Sequence, residues 1–179
     1  MPAIKVDMEE LVMALESQTE SGEFFLDKNS GEIILISDYT DDDADAKRQQ
    51  LDEEPDRFLY IQPIASHVGW GIMDDFVQSL KNRNAQEVLE RALNGRKPFR
   101  SFKDELLRLP DIREQWFAYH AGRVTEIARD WLEENEVVFE ETKTAVSTDL
   151  GMTSNHREHF KALQEITSED DAAGLTFKE

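Results

Sequence analysis

The sequence predicts an α+β fold, a small and mostly antiparallel sheet packed against a helical subdomain, on three observations. Glu23-Phe24-Phe25-Leu26-Asp27 and Glu32-Ile33-Ile34-Leu35-Ile36-Ser37 flank Lys28-Asn29-Ser30-Gly31, and the glycine supplies the positive φ that a hairpin turn needs. Phe58-Leu59-Tyr60-Ile61, stopped by Pro63, adds a third strand of residues suited to a half-buried pleated surface. From Ile72 to Leu132 the apolar residues recur mainly at helical spacing.

Each element follows from local chemistry. Met8, Leu11, Val12 and Leu15 mark an opening amphipathic helix, with Asp7 and Glu10 at the N-cap and N3 positions of a capping-box-like start. Ile72, Met73, Phe76, Val77 and Leu80 form one later stripe. Val88, Leu89, Ala92 and Leu93 form another, predicted to start near Asn84 with Glu87 at N3 and to stop at Gly95. Pro98 opens a third helix bearing Phe99, Phe102, Leu106 and Leu109 before Pro110 interrupts it. A fourth and longer helix carries Trp116, Phe117, Val124, Ile127, Ala128, Trp131 and Leu132, and Val137-Val138-Phe139 reads as a last short strand.

At 179 residues the chain is long enough to close one core and short for two domains. Residues 1–139 read as a single α+β domain. Within it, residues 38–56 gather Asp38, Asp41, Asp42, Asp43, Asp45, Asp52, Glu53, Glu54 and Asp56 against Lys47 and Arg48. They read as a mobile acidic connector whose one candidate for order is a short helix around Ala44 to Leu51. Residues 140–179 read as a C-terminal extension, with one short helix carrying Phe160 and Leu163 and a frayed acidic tail.

Lys and Arg number 20 against 39 Asp and Glu, a formal charge of −19 that repels phosphate and disfavours generic duplex nucleic acid as a partner. With no cysteine there is no disulfide framework, thiol nucleophile or Cys-based zinc site. Met1-Pro2-Ala3-Ile4-Lys5-Val6-Asp7 reaches acids before any long apolar stretch, so neither a signal peptide nor a membrane span is expected, and the expected compartment is the cytoplasm.

The order of these motifs resembles an uncharacterised bacterial protein family, number 0158 of the UPF series. The resemblance rests on the Phe25-Leu26-Asp27 to Gly31-Glu32-Ile33 hairpin, on Phe58-Leu59-Tyr60-Ile61 and on Met73-Asp74-Asp75-Phe76. It rests further on Phe99-Arg100-Ser101-Phe102-Lys103-Asp104 followed by Trp116 and Trp131. It implies a fold and no reaction, cofactor or catalytic residue.

Catalytic and metal constellations fail on inspection. Asp41, Asp43, Asp45 and Asp52 match positions 1, 3, 5 and 12 of a calcium loop, but position 6 is Ala46 where the turn needs glycine, and no helix pair flanks the run. His156 and His159 could share a metal with Asp149, yet two histidines at this spacing are ordinary on a surface helix. His120 beside Glu114 or Glu126 could act as a base, and His67 lies near Ser66, but lone histidines are more often packing residues. Gly69-Trp70-Gly71 reads as a turn, with Trp70 capping the core. Asp74 and Asp75 read as acids opening a helix, where negative charge suits the dipole. G-x-S-x-G, G-x-G-x-x-G and P-loop patterns are absent. No metal, cofactor or catalytic residue is expected.

One stretch stands out. Between Arg91 and Arg108, Arg91, Arg96, Lys97, Arg100, Lys103 and Arg108 face only Asp104 and Glu105, a local inversion of sign. Arg96, Arg100 and Lys103 are the candidate site for an anion or an acidic partner, against the plainer account in which Arg100 pairs with Asp104 and the rest are solvated or pair with the acidic connector. The expected function is a non-catalytic, acidic protein-interaction or regulatory module with a protein partner. Nucleic-acid or phosphometabolite binding through the basic helix face, and an enzyme without a recognisable motif, are the alternatives.

Overall fold

A computed structural model describes residues 3–17, 22–37 and 43–142. The chain divides into two units, Met1–Thr144 and Ala145–Glu179, and every element below lies in the first. In chain order these are β1 (Ile4–Asp7), α1 (Met8–Glu16), β2 (Glu23–Asp27), β3 (Ile33–Ile36), α2 (Ala44–Glu53) and β4 (Phe58–Ile61). There follow α3 (Ser66–Ser79), α4 (Arg83–Leu93), α5 (Pro98–Leu107), α6 (Pro110–Glu134) and β5 (Phe139–Thr142).

The expected hairpin forms, and β4 pairs antiparallel with its first strand, giving a three-stranded sheet of order β3-β2-β4. Asp27 holds the turn together: its carboxylate accepts from the Asn29 amide at 2.9 Å and the Ser30 hydroxyl at 3.0 Å. Gly31 has φ +81°, and a Cβ there would sit 2.0 Å from the Lys5 carbonyl oxygen. Glycine is therefore required twice, for the left-handed backbone and for the approach of the turn to β1.

Because strand side chains alternate, pairing Phe24 with Ile61 and Leu26 with Leu59 puts these residues on one face. That face meets Val6, Leu11, Leu15, Val124, Ala128 and Leu132 in the core. β1 was not legible as a strand. It pairs in parallel with β5, Ile4 against Phe139 and Val6 against Glu141. The last strand thus lies over Phe139–Thr142, later than Val137-Val138-Phe139, and residues 140–142 belong to the body and not to the extension.

The helices follow the apolar stripes with corrected ends. Asp7 caps α1 as expected, accepting from the amides of Glu9 and Glu10. α3 begins at Ser66, so Ser66, His67 and Gly69-Trp70-Gly71 are helical, and Asp74 and Asp75 sit in mid-helix where the dipole argument does not apply. The Phe99 ring lies 3.5 Å from where a Cβ on Gly69 would stand, an ordinary contact distance, and Trp70 Nε1 donates to the Leu93 carbonyl at 3.4 Å. α4 is capped by Asn82, which accepts from the Ala85 amide, so Ala85 and not Glu87 occupies N3.

Pro98 and Pro110 each occupy the first turn of a helix, α5 and α6, where their missing N–H costs nothing. Phe102 and Leu106 are buried, and Phe102 packs edge-on against Trp116 at 5.0 Å, as does Phe76 at 5.3 Å. Phe99, expected in the same stripe, is 39% exposed. Within the acidic stretch, the short helix expected around Ala44 to Leu51 forms as α2 over Ala44–Glu53; Ala44 is buried and the Lys47 ammonium reaches the Leu35 carbonyl at 3.4 Å.

Candidate functional site

The sign inversion folds into the corner between α4 and α5. Asn94 caps α4, Lys97 takes the left-handed conformation at φ 59°, and Pro98 starts α5. The corner is pinned by the Ser101 amide on the Lys97 carbonyl at 3.0 Å and the Ser101 hydroxyl on the Arg96 carbonyl at 3.3 Å. Arg96, Lys97 and Arg100 are all exposed. The Nε of Arg100 lies 4.0 Å from Asp104 with both side chains largely in solvent, a contact that holds little energy. Phe99, set against Gly69 and partly exposed, gives the corner an apolar margin.

Lys103, grouped with Arg96 and Arg100 in the candidate site, is less exposed than either. It is half-buried on the inner side of α5, and burial lowers its pKa while the charge of Glu16 opposes that shift. Glu16 is at the end of α1 and His120 is on α6; His120 Nε2 lies 3.3 Å from Glu16 Oε1, with side-chain exposures of 22% and 16%. The imidazole is covered by Trp116, whose ring centroid is 4.8 Å away. Burial raises the Glu16 carboxyl to about 7, and Lys103 pulls it down. Ionisable groups of α1 and α6 therefore meet in a place with little water, and the charge of Lys103 on α5 acts on Glu16.

This cluster was missed in the sequence, although a signal existed. Glu16 follows Val12 by one helical turn, and His120 lies one turn from both Trp116 and Val124, so each ionisable group interrupts an apolar stripe. Neither Glu114 nor Glu126 is the acid against Nε2 of His120; Glu126 pairs with Arg123. His67 is exposed on α3. Among the described residues no group of three His, Asp or Glu is placed to hold a metal, and no helix is long and apolar enough to cross a membrane. Asp41, His156, His159 and Asp149 lie outside the described residues.

A separate open cleft of about 610 Å³ lies between the α3–α4 junction and the first turns of α6, with Phe76, Leu80, Ile112 and Tyr119 among its lining.

These features define an α+β domain with a cationic corner on an acidic body. The chain belongs to the uncharacterised protein family UPF0158, whose family model matches residues 1–158, in agreement with the resemblance carried by the motif order. It is similar to the UPF0158 protein PA5073 of Pseudomonas aeruginosa strain PAO1. The two are 36% identical over 138 residues, covering 76% of this chain and 87% of that protein. No solved structure matches.

Proposed function

We propose that the chain is a non-catalytic interaction module of the cytoplasm that receives an acidic segment of a partner protein at the α4–α5 corner. The observation that carries this reading is the adjacency of exposed Arg96, Lys97 and Arg100 to exposed Phe99 in a chain of charge −19. Cations that served only solubility would follow the acidic trend of the surface. A cationic patch bordered by an apolar side chain instead matches a segment bearing carboxylates and an apolar anchor, and the acidic body around it rejects other polyanions.

The test is the binding of a synthetic peptide of aspartates with one central phenylalanine, compared with a single-stranded oligonucleotide of equal charge. The peptide is expected to bind in a salt-sensitive manner and more tightly than the oligonucleotide, and the triple variant R96E/K97E/R100E to lose it while melting as the parent does. Equal binding by the parent and the variant, or preference for the oligonucleotide, would refute the reading.

A further inference from the structure

We propose that the cleft between the α3–α4 junction and the first turns of α6 binds a free aromatic amino acid. The proposal is independent of the α4–α5 corner. The cleft encloses about 610 Å³, within the roughly 300–1,000 Å³ typical of small-molecule sites. Its apolar lining includes Phe76 and Ile112, both buried, and the Tyr119 ring, which is tilted against Phe76 at a centroid distance of 5.4 Å. Buried Trp116 packs edge-on against the same Phe76 at 5.3 Å. A flat ring entering the cleft therefore meets aromatic surface that is held in place by the core.

The polar lining comes from two sides and carries opposite charges. The α3–α4 junction supplies the Lys81 ammonium and the Asn82 side-chain amide. Asn82 Oδ1 accepts from the Ala85 amide at 3.1 Å, so its nitrogen is the end left to donate. α6 supplies Asp111, Gln115 and Tyr119, which follow one another at four-residue spacing and share one flank of the helix. Lys81 and Asp111 are exposed, and among the described residues neither makes an ion pair or a side-chain hydrogen bond, whereas Arg108 pairs with Glu105 and Arg123 with Glu126.

An aromatic amino acid answers each of these groups. Its carboxylate accepts from Lys81 and Asn82, its ammonium donates to Asp111 and to the side-chain carbonyl of Gln115, and its ring lies against Phe76, Ile112 and Tyr119. A purely anionic molecule would meet Asp111 with no charge to offset it, and a purely cationic one would meet Lys81, so the lining selects the zwitterion.

The test is calorimetric titration of L-phenylalanine, L-tyrosine and L-tryptophan into the full chain, each beside its analogue without the ammonium and its analogue without the carboxylate; for phenylalanine these are phenylpropionate and phenethylamine. At least one amino acid is expected to bind one-to-one and about tenfold tighter than either of its analogues. K81M and D111N are each expected to weaken it by about tenfold while melting close to the parent, because both side chains are exposed. R96E/K97E/R100E is expected to bind it as the parent does. Absence of saturable binding by all three amino acids, an analogue that matches its amino acid, undiminished binding by K81M or D111N, or loss of binding in R96E/K97E/R100E would each overturn the site. The analogue series uses the parent chain alone, so it decides the proposal even where a variant folds poorly.

Discussion

Arg57 grips Asp27 with both arms of its guanidinium, Nε to Oδ1 at 2.9 Å and Nη2 to Oδ2 at 2.7 Å, across the junction of β2 and β4. The carboxylate is nearly sealed from solvent at 3% residue exposure, whereas the Arg57 side chain keeps 25% and lies 4.9 Å over the Phe58 ring. With the Asn29 and Ser30 bonds added, Asp27 fixes the hairpin turn and the approach to the third strand together. Hydrogen bonding from Arg57 is the main reason that its carboxyl titrates at about 2, below its ordinary 3.8.

Asp27→Asn is therefore expected to destabilise the domain by about 2–4 kcal/mol, because it removes the charge that the buried side of the pair requires. A depressed carboxylate contributes stability that is present above its unfolded pKa and lost as pH falls through the folded one. Urea unfolding should show a constant gap between parent and D27N above about pH 4 that narrows towards pH 2. A gap that widens on acidification would show that the pair is not the source.

Glu16 gives the opposite sign. Its carboxyl is raised from 4.5 to about 7, so the folded chain holds a proton that the unfolded chain releases, and this contribution is lost as pH rises from 4.5 through 7. Glu16→Gln should match the parent near pH 4.5 and be the more stable protein at pH 8 by about 2–3 kcal/mol. Lys103, lowered by burial, adds a rise in stability on the alkaline side, so the comparison ends near pH 8. Equal pH profiles for parent and E16Q would contradict the burial of this acid.

The C-terminus of α6 offers a stabilising change. Asn135 caps the helix and Glu136 takes φ 56°; the Glu136 amide donates to the Glu133 carbonyl and the Val137 amide to the Leu132 carbonyl. This is a Schellman arrangement with a glutamate where glycine is favoured. Glu136→Gly should raise the unfolding free energy by about 0.5–1 kcal/mol, net of the added freedom of the unfolded chain. Calorimetry is the measurement, and a lower melting temperature would mean that the left-handed turn is not formed.

Much of the body was legible because it is encoded locally. Asp7 specified the start of α1, Pro98 the start of α5, and Gly31 the hairpin turn, each through the conformational preference of one residue. α3 began earlier than expected because Gly69 and Gly71 read as breakers, whereas the packing of Phe99 on Gly69 and the Trp70 bond to Leu93 hold that turn in the helix.

By itself the sequence determined the α+β class, the hairpin, the helical stripes and the inverted charge from Arg91 to Arg108, all properties of neighbours within one or two turns. Only the tertiary structure decided that Ile4–Asp7 is a strand, because its partner Phe139–Thr142 lies at the far end of the body. It also left Lys103 less exposed than Arg96 and Arg100 and brought Glu16 of α1 against His120 of α6. Periodicity places a residue on the flank of a helix, but whether an ionisable group there turns to solvent or to a neighbouring helix depends on the helices packed beside it, and those come from distant parts of the chain.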